Sequence, residues 1–119
     1  MGNFRNLRVW QAAQDLAIEA HRISGKMRGP TSATLRDQLV RSVMSVVANI
    51  VEGSAHSSPR EFARFLSYAI ASVSEAEGHA QLGCDMGMIS RSDLEVLIQK
   101  VIDVRMMLHG LRKRLRADS

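Results

Sequence analysis

This chain has few of the residues that brace small folds or interrupt helices. A single cysteine, Cys84, allows no intrachain disulfide, and a reducing cytoplasmic setting is expected. The two prolines, Pro30 and Pro59, leave long stretches in which helices can run unbroken. One Trp, one Tyr and three Phe restrict the core to aliphatic side chains with Ala and Met. No apolar run approaches the ~20 residues of a membrane span. The opening MGNFRNLRVW lacks the apolar centre of a secretory signal, so no membrane partner is expected. Neither zinc-ligand spacing nor a Gly-rich phosphate loop occurs. At 119 residues the chain fits one domain, 1–119.

What the chain does have is helical periodicity. Val9, Ala13, Leu16, Ala20, Ile23 and Met27 follow a heptad seam, with Trp10, Ala17 and Ser24 beside it. This predicts a first helix over 7–26, capped by Asn6 and broken by Gly25, Gly29 and Pro30. Ser58-Pro59-Arg60-Glu61 is a capping box with Pro at the first helical position, predicting a helix over 59–85. There Phe62, Phe65, Leu66, Ala69, Val73, Ala76, Ala80 and Gly83 share one side. Ser67, Ala71, Ser74 and Gly78 form a separate small-residue line, open either to close packing or to solvent. Ser90 and Asp93 begin a last helix over 91–114, whose seam is Leu94, Leu97, Val101, Val104, Leu108, Leu111 and Leu115. With a helix over 32–52 the fold class is all-α. Short loops joining four such helices predict an antiparallel up-down-up-down four-helix bundle.

The second helix is the most unusual. In Gln38–Gly53, Leu39, Val40, Val43, Met44, Val46, Val47, Ile50 and Val51 fill one broad sector, expected to be buried. Gln38, Arg41, Ser42, Ser45, Asn49 and Glu52 fill a narrower one that is mostly small and uncharged. Gly53 reads as a C-cap. On the third helix Arg64, Tyr68, Ser72, Glu75 and His79 form a second polar stripe. Gln38, Arg41, Ser45, Asn49 and Glu52 are expected to meet it, inside the bundle or between subunits, fixing the register of assembly.

Charge is distributed unevenly. Residues 1–99 balance, and the whole formal excess of +4 falls in 100–119. Arg105, His109, Arg112, Lys113, Arg114 and Arg116 lie along the last helix, mostly on one side, suggesting an anionic partner tracked at helical spacing. The simpler reading is cations complementing the negative end of a helix, with Arg105 and Arg112 pairing to acids on a neighbour. Without aromatics between them, these residues predict weakly sequence-specific, salt-sensitive binding.

Catalytic patterns are weak. None of Glu19, Glu52, Glu61, Glu75, Glu77 and Glu95 has a His three residues on, so the ligand pattern of a di-metal bundle is missing and no metal or cofactor is expected. Glu75, His79 and Tyr68 invite an enzymatic reading, which needs them to converge on a pocket. No catalytic residue is assigned.

The same segments carry a resemblance. FRNLRVWQAAQDLA (Phe4–Ala17), QLVRSVMSVVANIVEG (Gln38–Gly53), SPREFARFLSYAIASVSEAE (Ser58–Glu77) and MGMIS (Met86–Ser90) resemble the small bacterial bundle proteins related to those encoded by intervening sequences in 23S ribosomal RNA genes, often labelled S23 ribosomal protein. Two positions depart from that pattern: Val47 stands where the family commonly has proline, and Ala71-Ser72 where it has Gly-Ser. The resemblance implies a left-handed four-helix bundle without established enzymatic activity. It also implies self-assembly, since relatives form rings of five, and the accessory protein of diversity-generating retroelements has a similar fold. The expected function is a homo-oligomeric bundle binding RNA or a nucleoprotein through its basic last helix. The alternative is a scaffold oligomer whose partner is another protein.

Overall fold

Four helices make up the architecture: α1 (Arg8–Ser24), α2 (Ser32–Ser54), α3 (Pro59–Asp85) and α4 (Arg91–Ala117), with a short 3-10 turn at Phe4–Asn6. The computed structural model describes residues 3–56 and 58–119; Met1, Gly2 and Ser57 lie outside the described residues. The particle measures 47 × 20 × 19 Å, as expected for helices of ~40 Å lying side by side.

The order of cross-helix partners gives the helix directions. Asp15 of α1 pairs with Lys100 of α4, whereas Arg22 and Lys26, further along, pair with Asp93, which is earlier in α4. Glu77 and Ser67 of α3 meet Arg105 and Arg112 of α4 in the same reversed order. On α2 and α3, Leu35 lies by Gly83, Ser45 by Ser72, and Gly53 by Phe62. Each of these three helix pairs is therefore antiparallel.

The heptad positions build the core. Val9, Ala13, Leu16, Ala20, Ile23 and Met27 are buried, as are Leu94, Leu97, Val101, Val104 and Leu108, while Leu111 and Leu115 are only half-buried near the end of α4. Ser58 Oγ accepts the Glu61 N–H (3.3 Å) and Ser90 Oγ the Asp93 N–H (3.1 Å), so both caps form. Each satisfies an otherwise unpaired first-turn donor.

Several expected boundaries shift. Asn6 does not cap α1: it closes the 3-10 turn, and Leu7 takes the cap position without a side-chain bond. α1 stops at Ser24, and α4 continues past Arg114 to Ala117. Gly53 is not a C-cap but a buried helical residue. A Cβ built there would lie 2.8 Å from Phe62 Cδ1 and 2.9 Å from Phe65 Cβ. Glycine is required at this point by the close approach of α3. Most of the small line on α3 is solvent-facing: Ala71, Ser74 and Gly78 are exposed, and a Cβ at Gly78 would meet nothing within 4 Å, whereas Ser67 is half-buried.

These two glycines should respond oppositely to the same substitution. Gly78→Ala is expected to stabilise by about 0.5–1 kcal/mol, through unfolded-chain entropy alone. Gly53→Ala is expected to destabilise by about 1–3 kcal/mol, because overpacking exceeds that gain. Urea titration of both variants reads the sign directly.

The sector on α2 is also only partly buried. Leu39, Val43, Val46 and Ile50 are in the core, but Val40, Val47 and Val51 are half-buried and Met44 is 61% exposed. The apolar arc is wider than two neighbouring helices can cover, so its outer edge faces away from the bundle.

Candidate nucleic-acid interface

The cationic residues of α4 separate into two groups. Arg105 is half-buried and donates to Glu77 of α3, and Arg112 donates to Ser67 Oγ (3.1 Å) with its other nitrogen 3.1 Å from His109 Nδ1. Arg105 is neutralised where it stands, matching the simpler reading of that residue. Arg112 meets a hydroxyl instead of an acid, so its charge is retained. Lys113, Arg114 and Arg116 are exposed, and among the described residues none forms an ion pair.

Neighbouring elements supply further cations at this end of the bundle. A groove of about 620 Å³ between the start of α3 and the end of α4 is lined by Arg60, Glu61, Arg64, Ser67 and Arg116, among others. On the other flank of α4 a groove of about 420 Å³ is lined by Leu7, Arg8, Met106, Met107 and Arg114. The last turns of α4 thus form a basic ridge, with Arg60 and Arg64 on one flank and Arg8 on the other. Arg8 and Arg60 were not singled out by linear sequence, because acids elsewhere in 1–99 cancel them in any charge count.

Arg64 is fixed in orientation. Its Nε donates to both oxygens of Glu61 (2.9 and 3.1 Å) and its Nη1 to Tyr68 Oη (2.8 Å). The hydrogen bond from Arg64 holds the Glu61 carboxyl below the usual carboxylate range. The guanidinium lies 5.0 Å from the Phe65 ring centroid and 5.6 Å from that of Tyr68.

The two polar stripes do meet, but only in part. Ser45 Oγ and Ser72 Oγ are 2.8 Å apart, and Asn49 Nδ2 donates to Ser45 O (2.8 Å) and Ser45 Oγ (3.2 Å). Gln38, Arg41 and Glu75 rim a small cleft over this contact. Arg64 and Tyr68 bond to each other and to α3, and none of the hydrogen bonds among the described residues links them to Glu52. Glu75, His79 and Tyr68 do not converge. Glu75 lines a cleft with Arg41, His79 lines an apolar groove with Leu35, Leu82 and Met86, and Tyr68 holds Arg64. Among the described residues no three His, Cys, Asp or Glu side chains come close enough to hold a metal.

At the opposite end, α1 is clamped to α4. Lys26 Nζ lies 2.7 Å from Asp93 Oδ2 and Arg22 3.7 Å from Oδ1. The Lys26 hydrogen bond, against a desolvation penalty and with help from Ser90 and Arg22, holds Asp93 below the usual aspartate range. A depressed folded pKa means the contribution is fully present above the unfolded value and is lost as pH falls through the folded one. The stability gap between the native protein and Asp93→Asn should therefore narrow below about pH 4, as read by thermal midpoints across an acid series.

Residues 5–110 match the family model described as 23S rRNA-intervening sequence protein. The chain belongs to this family. The match ends before Arg112, Lys113, Arg114 and Arg116, so membership in the 23S rRNA-intervening sequence family says nothing about those four cations, while Arg8, Arg60 and Arg64 lie inside it. A similar solved structure is a protein with unknown function from the S23 ribosomal protein family of Bacteroides thetaiotaomicron VPI-5482. It is 20% identical, covers 88% of this chain and 98% of its own, and superposes with a TM-score of 0.78. At that identity the likeness is one of fold. No curated protein matches the chain in sequence. Among the described residues no helix is long and apolar enough to cross a membrane.

Proposed function

We propose that this member of the 23S rRNA-intervening sequence family is a non-enzymatic, homo-oligomeric bundle that binds RNA, free or within a nucleoprotein, through the basic end around the last turns of α4. The observation that carries this reading is convergence. Arg8, Arg60 and Arg64, distant in sequence, stand beside Arg114 and Arg116 in two grooves flanking Lys113. Helix-dipole complementation accounts for cations in α4 but not for arginines of α1 and α3 gathered beside them. Arginine suits phosphate because its planar fork can donate two parallel hydrogen bonds.

The test is whether protein purified at low salt carries RNA, seen as a raised ultraviolet absorbance ratio that collapses after ribonuclease treatment. Protein that is free of nucleic acid and retains none on a column at low salt overturns the reading.

The outer edge of α2 supports self-association. Val40, Met44, Val47, Ala48 and Val51 share one side of α2, half-buried or exposed, and form an apolar strip of the kind that contacts between copies cover. We assign it to a contact between copies, consistent with the ring of five that the resemblance implies. Light scattering should show a multimer of the 13.2 kDa chain, and Met44→Glu should shift it to smaller species. A native monomer at micromolar concentration contradicts this. A scaffold that binds only protein would use the same strip but leave the basic end without RNA.

A further inference from the structure

Along α3 the exposed residues Arg60, Arg64 and Tyr68 stand one above another, because positions four apart share a helix face. We infer that this stripe is a single-strand track, in which the two arginines take backbone phosphates and the Tyr68 ring takes an unpaired base. The inference rests on the RNA-binding reading above and extends that surface along α3 to a chemically different contact, the ring of Tyr68.

Tyr68 is the side chain that α4 lacks. It is the chain's only tyrosine and is 46% exposed. The ring is also braced. Phe65 packs edge-on against it with centroids 5.8 Å apart at 90°, and His56 stacks on Phe65 at 5.1 Å and 16°. Arg64 holds its hydroxyl at 2.8 Å. A ring already fixed loses little freedom when a base stacks on it, which favours binding.

The arginines have donors to spare. Among the described residues Arg60 forms no ion pair or side-chain hydrogen bond, and Arg64, paired through Nε with Glu61, leaves Nη2 without a partner. Arg116 faces them from α4 across the groove of about 620 Å³. Cations that follow a backbone beside an aromatic platform are the arrangement used for single strands, since every base offers a π-face whatever its sequence. A duplex keeps its bases stacked internally and offers Tyr68 nothing.

The two kinds of contact leave different signatures. Binding of a fluorescein-labelled oligouridylate, followed by anisotropy across a salt series, separates them. Arg60→Ala/Arg64→Ala should weaken binding and flatten the log–log salt slope by at least about 0.7, the value for one phosphate contact on a single strand, because Arg60 is unpaired among the described residues while Glu61 already offsets part of the Arg64 charge. Arg36→Ala/Arg91→Ala removes the same charge from the other end of the bundle and should do much less. Tyr68→Ala should weaken binding at least about fivefold without changing the slope, because stacking releases no counterions. Tyr68→Leu, which keeps an apolar group against Phe65, should lose as much, and Tyr68→Phe, which keeps the stacking ring and gives up only the Arg64 hydrogen bond, should lose less than about twofold.

If the intact protein binds no oligouridylate, the wider RNA reading falls and the track with it. If the intact protein binds but Arg60→Ala/Arg64→Ala behaves like the Arg36/Arg91 control, or Tyr68→Ala and Tyr68→Leu bind normally, the track alone is overturned.

Discussion

Substituting Lys113, Arg114 and Arg116 together by alanine is expected to lower affinity for single-stranded RNA by one to two orders of magnitude near 0.1 M salt. The size follows from counterion release. Three phosphate contacts at roughly 0.7 each set the exponent with which affinity falls as salt rises. The same substitution should barely affect the fold. All three side chains are exposed, and among the described residues none forms an ion pair, so their structural role is limited to complementing the carboxyl end of α4. Thermal melts run beside the binding assay separate the two roles. A large loss of binding with a nearly unchanged midpoint identifies the ridge as a ligand surface; a large drop in midpoint instead assigns these residues to the helix.

Leu66→Ala should have the largest effect on stability. Leu66 is fully buried in α3, in the cluster that joins all four helices. Truncation removes its transfer free energy and leaves a cavity that rigid helices close only in part, for a cost of about 3–5 kcal/mol. Against a total of roughly 6–18 kcal/mol for a chain of this length, that is a large share. The midpoint of thermal unfolding should fall by about 10–20 °C. Leu115→Ala makes the contrast: Leu115 is half-buried near the end of α4, and its loss should cost about 1 kcal/mol. Equal effects at the two positions would mean that burial along the seam does not decide stability.

Much of the fold was legible because heptad spacing and capping are local. The seams of α1 and α4 name their own buried residues, and Ser58 and Ser90 mark where helices begin. The misread points depended on something distant. Gly53 looks like a C-cap until the rings of Phe62 and Phe65 are placed against it. The α2 sector looks uniformly buried until the bundle proves too narrow to cover Met44. The candidate site was legible by half. Charge counted along the chain isolates 100–119, but it cannot reveal that Arg8, Arg60 and Arg64 come to rest beside that segment. Nor can it show that Glu77 removes Arg105 from the exposed set. Only helix packing supplies those neighbours, and with them a tyrosine placed next to arginines.

The most direct measurement is the salt dependence of oligouridylate binding by the intact protein. If RNA lies across the basic end, log affinity should fall linearly with log salt, with a slope of about −2 or steeper for three or more phosphate contacts. Absence of binding at low salt, or an affinity that does not change with salt, would contradict a phosphate-binding end to this bundle.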